Sequence, residues 1–247
     1  MDIRPVFVVS DIHLGAVPAD TERAFRRFLD HAADACSRLL INGDLFDFWF
    51  EYRHVILSEH YRVVAKLKDV VESGVPVDFV GGNHDAWAGP FLRDEVGITL
   101  HSGPVEMTLA GRRTLVAHGD GVGRGDLKYR ALKTLIRNPV TVGAFRALHP
   151  DWGRRIAGLA SSTEHKADHG DHAAKGRAAF IQSWAMERMA ADPGIDLVLA
   201  GHAHLGSVTE VDAGRWYVNS GDWLGTYDYV VLPHGGGAPE LRAWVVP

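Results

Sequence analysis

Five short motifs supply side chains of the kinds that hold divalent cations: Asp11-Ile12-His13, Gly43-Asp44, Gly82-Asn83-His84-Asp85, His118-Gly119 and Gly201-His202-Ala203-His204. Carboxylates, an amide oxygen and imidazoles form a donor set of intermediate hardness, better suited to Mn, Fe, Co, Ni or Zn than to Ca or Cu(I). Asp-x-His at a strand end is expected to place Asp11 and His13 on one face. Asp44 is expected to bridge two cations through both carboxylate oxygens, with Gly43 permitting close backbone approach. A cation pair in such a crevice turns water into a nucleophile for phosphorus at neutral pH, which points to hydrolysis of phosphate esters or anhydrides. Any one motif is weak evidence, because isolated Asp-x-His and His-x-His pairs arise by chance. Five in this order, nearly all following an apolar run, are a different matter.

The elements that must deliver these residues alternate. Apolar runs Pro5–Ser10, Arg38–Asn42 and Val77–Val80 predict strands leading into the first three motifs. Between them, Asp20–Ala33 (Phe25, Phe28 and Leu29 at helical spacing, Asp20 or Thr21 as N-cap) and Ser58–Ser73 predict amphipathic helices, the second stopped by Gly74 and Pro76. Such alternation indicates parallel sheet with helices on its faces. Short strands follow at Ile98–Leu100, Val105–Leu109 and Thr114–Ala117, with Gly111-Arg112 as a turn. Helices are expected at Leu127–Ile136, Val140–Leu148, Trp152–Ala160 and Ala178–Ala191. Ser161–Gly176 reads as an exposed polar loop, and its histidines (His165, His169, His172) as solvated. Strands resume at Ile195–Ala200, Ser207–Val211, Trp216–Asn219, Tyr227–Leu232 and Leu241–Val245. The expectation is an α/β fold, a two-sheet α/β sandwich forming one domain over 1–247, with a helical cap inserted at 124–191.

Composition sets bounds. In 247 residues, 46% hydrophobic, a sizeable core is available. The single cysteine, Cys36, excludes a disulfide framework and reads as a buried inert thiol. No secretion signal and no apolar run long enough for a membrane span are evident, so a cytoplasmic protein is expected, with contact to the inner-membrane surface as a second expectation. The formal charge of −5 is uneven: residues 124–188 hold twelve Lys and Arg against six Asp and Glu, and the remainder carries an acidic excess. The basic centre suits a negatively charged partner or is simply a solvated helical face. Nucleic acid is not expected as a partner, because no groove-reading or aromatic-interleaved element accompanies the charge. Oligomeric state is not legible.

The motif series resembles the signature of the calcineurin-like metallophosphoesterases: Asp-x-His, Gly-Asp, Gly-Asn-His-Asp/Glu, His and Gly-His-x-His. That resemblance implies the metallophosphoesterase-type sandwich and two divalent ions, one held by Asp11, His13, Asp44 and His204, the other by Asp44, Asn83, His118 and His202. It also implies in-line attack on phosphorus by a hydroxide bridging the ions. In this scheme His84 is left as the proton donor to the leaving oxygen or to the phosphate, with Asp85 orienting its ring. The segment Gly43–Tyr52, the run His118-Gly119-Asp120-Gly121 and Gly125-Asp126 with Tyr129 resemble the UDP-2,3-diacylglucosamine pyrophosphohydrolase branch of lipid A biosynthesis. That branch implies cleavage of a lipid-linked nucleotide-sugar pyrophosphate, usually with Mn2+ (Fe, Zn, Co, Ni and Mg being compatible). One departure is visible: the best-studied members carry arginine where His84 stands here.

Asp126 and Tyr129 match sugar- or phosphate-contacting residues of that branch, or else cap the first insertion helix. Trp49 lines the substrate pocket or packs beneath the sheet. The insertion mixes apolar residues (Leu132, Leu135, Ile136, Val140, Phe145, Leu148, Trp152, Ile156, Leu159) with Arg130, Lys133, Arg137, Arg146, Arg154 and Arg155. It either encloses acyl chains while its arginines face anionic headgroups, or packs on itself. The competing readings are a phosphodiesterase or phosphatase for soluble nucleotides or small esters, and a phosphate-binding scaffold without turnover. The scaffold would be marked by a missing ligand, and none is missing.

Overall fold

A computed structural model describes residues 2–123, 134–136, 138–160 and 172–245, with side chains throughout except at 157–160. Eleven described strands form two sheets. The first contains β1 (Val6–Val9), β2 (Arg38–Ile41), β3 (Val77–Val80), β4 (Thr99–His101), β10 (Asp228–Leu232) and β11 (Glu240–Ala243), in the order β11-β10-β1-β2-β3-β4. The second contains β5 (Val105–Leu109), β6 (Arg112–Val116), β7 (Leu197–Ala200), β8 (Ser207–Asp212) and β9 (Arg215–Asn219), in the order β5-β6-β7-β9-β8. β1 to β4 run parallel, as do β6, β7 and β9. The carboxyl ends of the parallel strands in each sheet therefore share one edge, where ligands of open α/β sheets bind.

Strand alternation sorts the core into layers. Phe7, Val9, Leu39, Ile41, Val77 and Phe79 face helices α1 (Ala19–Ala35) and α2 (Tyr61–Glu72). Val6, Val8, Leu40 and Val80 turn the other way and meet Val116, Leu197, Leu199 and Val218 of the second sheet. The outer face of that sheet, Leu115, Val198 and Tyr217, is covered by Ile181, Ala185 and Met189 of α5 (His172–Ala191). The result is a helix–sheet–sheet–helix sandwich.

Several local expectations change. Helix α1 starts at Ala19 after Pro18 and has no side-chain cap, because Asp20 pairs with Arg23 and the Thr21 hydroxyl meets the Tyr227 hydroxyl at 3.1 Å. Arg112 belongs to β6, and the β5–β6 turn is made by Ala110 and Gly111, at φ 49° and 85°. α5 begins at His172, so residues 172–176 of the expected loop are helical and His172 is exposed on that helix. His165 and His169 lie outside the described residues. So does most of the expected Leu127–Ile136 helix, of which 134–136 are described and helical. An unexpected π-helix, Phe91–Val96, follows Pro90, and the buried Glu51 carboxylate accepts from the amides of Gly89, Phe91 and Leu92 at its start. Cys36 is buried as expected, and burial pushes its thiol up to about 11.

Within the expected insertion, α3 (Pro139–Arg146) and α4 (Pro150–Ala160) form the described cap helices, whereas α5 is part of the sandwich wall. No helix among the described residues is long and apolar enough to cross a membrane.

Phe28 of α1 is fully buried, with its ring 5.2–6.1 Å from those of Phe7, Phe25, Tyr229, Trp223 and Trp244. Phe28→Ala is expected to lower the unfolding free energy by about 3–5 kcal/mol, measured by denaturant titration.

Candidate metal centre

β1, β2, β3, β6 and β7 each end within three residues of one of the five motifs. Their side chains converge by a route the sequence did not suggest. Asp11, His13, Asp44, His202 and His204 all have left-handed backbone, with φ between 52° and 64°. The pair Asp11 and His13 is thus brought together by two left-handed residues beyond β1 and not by strand alternation. Such conformations cost L-residues about 1–2 kcal/mol each and persist where the surroundings over-determine them. Here backbone hydrogen bonds do so: Asp11 donates to Gly43 O, Ile12 and His13 to Asp44 O, and Leu14 to Leu45 O.

Two clusters with no residue in common result, Asp11–His13–His204 and Asp44–His118–His202, each with ligating atoms within 4.8 Å of one another, and a third grouping that meets the same limit, His13–Asp44–His84, overlaps both. His204 Nε2 is 3.1 Å from Asp11 Oδ1, and His118 Nε2 is 3.2 Å from Asp44 Oδ2. Asp44 Oδ2 also lies 3.9 Å from His13 Nε2, so it faces both clusters. Asp44 Oδ1 accepts the His84 amide at 3.0 Å. Asp44 Oδ1 is thus shared with that amide, and Oδ2 is the oxygen that faces both clusters.

Two of the imidazoles are aimed by contacts at their far nitrogen, as ligating histidines are. His118 Nδ1 donates to Asn42 O at 2.8 Å, and His13 Nδ1 lies 3.7 Å from Asp47 Oδ1. Burial lowers His13, and burial with the neighbouring His118 lowers His202 to about 4, leaving both in the neutral form a cation needs. Against burial, Asp44 and Asp11 raise His118, which reflects the negative potential there. The site fits cations on a further count. Asp11 Oδ1, Asp44 Oδ2, Asn83 Oδ1 and His202 Nδ1 are buried polar atoms with no hydrogen-bond partner in the protein, an arrangement that is costly unless a cation completes it. These side chains could hold two divalent ions, whose chemistry is activation of water and neutralisation of charge on phosphoryl oxygens.

His84 packs edge-on against His13 at 4.7 Å between ring centroids. Its ring is not oriented by Asp85. Asp85 is fully buried and accepts from the amides of Leu45 (2.7 Å) and Gly82 (2.8 Å), tying the second motif to the third. Burial and the charge of Asp44 push its carboxyl up to about 7, opposed by those amides. His84 is aimed instead by Asp47, whose carbonyl accepts from Nδ1 at 2.8 Å and whose carboxylate lies 3.5 Å away. Sequence reasoning missed Asp47, although its place three residues after Asp44 was a usable signal. It also missed Asn42, whose carbonyl serves His118 and whose amide donates to Ala117 O across the two sheets.

Trp49 is 1% exposed, stacked on Phe46 at 4.4 Å with its indole N–H toward Glu51, so it packs in the core. Asp126 and Tyr129, like Arg130, Leu132, Lys133 and Arg137, lie outside the described residues. In the cap, Leu135, Val140, Leu148, Trp152 and Ile156 are exposed, whereas Phe145 packs on Phe50 and Trp87. Of the cap arginines, Arg154 pairs with Glu59 and does not face open solvent as a spare cation.

Gly82 has no room for a side chain, since a Cβ there would collide with the Asp44 carboxylate and amide. Gly82→Ala is expected to displace Asp44 and lower bound Mn2+ below that of the unaltered protein, measured by elemental analysis after desalting.

The family model "Calcineurin-like phosphoesterase" matches residues 4–206. The chain is 30% identical over 243 residues to a UDP-2,3-diacylglucosamine hydrolase of Porphyromonas gingivalis, covering 92% of this chain and 93% of that one. It is likewise 30% identical over 225 residues to the protein of that name from Ralstonia nicotianae, covering 89% and 84%. A solved structure of vacuolar protein sorting 29 from Cryptosporidium parvum aligns with a TM-score of 0.45 at 14% identity, over 97% of this chain and 98% of that one. With its five motifs closing on one crevice and the family match spanning them all, the chain belongs to the calcineurin-like phosphoesterases.

Proposed function

We propose that this phosphoesterase hydrolyses the pyrophosphate of UDP-2,3-diacylglucosamine to UMP and 2,3-diacylglucosamine 1-phosphate, with Mn2+ as the working cation. The observation that carries hydrolysis at phosphorus is the pair of buried clusters facing Asp44 Oδ2. Supporting the substrate are the near full-length similarity to hydrolases named for it and the exposed apolar residues of α3 and α4. Val140, Trp152 and Ile156, with Arg155 over the Trp152 ring, suit acyl chains and a membrane surface on the cytoplasmic side. In this reading the cap that receives the lipid part is the portion of the segment 124–191 that carries α3 and α4.

Asp11, His13 and His204 would hold one cation and Asn83, His118 and His202 the other, with Asp44 available to both. His84 acts on the phosphate directly. Its Nδ1 proton is committed to the Asp47 carbonyl, so a proton for the substrate comes from Nε2 of the imidazolium form. The Asp47 carboxylate at 3.5 Å compensates that charge.

The substrate reading is tested by offering the Mn2+-loaded protein UDP-2,3-diacylglucosamine, cyclic nucleotides and an aryl phosphodiester, and following UMP by chromatography. UMP release from the acylated compound, at a kcat/KM well above that for the others, is expected; turnover of only the soluble compounds refutes it. His84→Ala is expected to lower kcat by about 10²–10⁴-fold with Mn2+ content unchanged. Asp44→Ala is expected to empty both cation positions, read as metal per chain by elemental analysis.

A further inference from the structure

Two polar contacts fasten the described residues before α5 in the insertion to the body beside loops that carry site residues. At the first, the Trp87 indole N–H donates to the Ile136 carbonyl at 2.9 Å. Trp87 lies three residues after His84, and its ring meets Phe50 and Phe145 at 5.0 Å each. At the second, Arg154 of α4 donates from Nε to Glu59 Oε1 at 2.6 Å and from Nη2 to the Gly15 carbonyl at 3.4 Å. Gly15 lies two residues after His13. Beside Arg154, Gly153 sits so close to Tyr52 that a Cβ there would strike the tyrosine hydroxyl. The arginine and the glutamate are each about one-third exposed, so the pair is shielded on one side by the helix and on the other by the body.

We infer that Arg154, with Glu59, and Trp87 are positioning residues that clamp the cap helices α3 and α4 onto the Asp11–Gly15 and Asn83–Trp87 loops, and that this clamp sets the affinity for the acylated part of the substrate. The second half rests on the proposed lipid-sugar substrate; the clamp does not. Neither fastening touches a candidate cation ligand, so loosening it leaves the phosphate chemistry in place. Both bear on where the cap stands relative to the crevice. A substrate that occupies the crevice alone is indifferent to that placement, whereas one that spans crevice and cap is not. Arg154 is already neutralised by a carboxylate, which makes it an anchor and not a headgroup ligand.

The test compares Arg154→Ala, Glu59→Gln, Trp87→Phe and the charge-exchanged double variant Glu59→Arg with Arg154→Glu, all in the full chain loaded with Mn2+. Trp87→Phe keeps an aromatic ring but removes the N–H donor. Hydrogen–deuterium exchange of peptides within 138–156 is expected to rise in the three single variants and to return toward wild type in the double variant, with β1 and β2 peptides unchanged. For UDP-2,3-diacylglucosamine the KM is expected to rise about fivefold, the factor lost with a partly shielded ion pair, at unchanged kcat. The kcat/KM for bis(p-nitrophenyl) phosphate stays within twofold. Unchanged exchange in the cap peptides overturns the clamp. Equal losses on both substrates, or a fall in kcat with KM unchanged, overturn its role in affinity. If the unaltered protein fails to cleave the acylated compound, the proposed function and that affinity role fall together, while the exchange data still decide the clamp.

Discussion

Two carboxylates, Asp11 and Asp44, are fully buried at the edge where the two sheets meet. Burial alone raises both, yet the surrounding imidazoles, His204 and His118 first among them, hold them well below the usual carboxylate range. Buried negative charge of this density must be met by positive charge or hydrogen bonds. Much of the surrounding backbone serves that requirement. Five of the seven candidate ligands occupy left-handed conformations, Gly82 and Gly43 leave no space for side chains, and Asp85 and Asn42 tie neighbouring loops together. The strain at the ligands is tolerated because the sandwich beneath them is layered on both sides by closely packed apolar residues.

The adjacent residues His84 and Asp85 have separate tasks. Asp85 turns inward and organises backbone amides; His84 turns toward the crevice and takes its orientation from Asp47. Asp47 lies between His84 and His13, so one carboxylate influences a cation ligand and the candidate proton donor together. An arginine at position 84 would carry a fixed charge, whereas the imidazole must be protonated to donate from Nε2.

Outside the crevice, aromatic packing continues from the sandwich into the cap. Phe48, Phe50, Tyr52, Trp87 and Phe145 form one cluster that joins α3 to the loops after β2 and β3. Val140 of α3 and Trp152 and Ile156 of α4 are left exposed. The cap thus combines side chains committed to the body, Phe145 among them, with apolar side chains in solvent.

The sequence alone determined the strands of both sheets, the helices between the first three of them, the two-sheet architecture and the choice of seven candidate ligands. Apolar periodicity is a local property, and Asp, Asn and His after strand-like runs are rare enough in series to be read as a set. It did not reveal the left-handed backbone at Asp11 and His13, the His84 amide that binds Asp44 Oδ1, or the choice of Asp47 over Asp85 as the partner of His84. Each depends on what faces a side chain across space. Asp85 is beside His84 in sequence but is drawn away by the amides of Leu45 and Gly82, and Trp49 sits in an aromatic run but is turned into the core by Phe46 and Glu51. Likewise, Arg154 reads as a free cation until folding brings Glu59, 95 residues earlier, against it. Composition and spacing identify which groups are available; only the packing of distant segments decides which of them meet, because hydrogen bonds and ion pairs act over a few ångströms of space and take no account of separation along the chain.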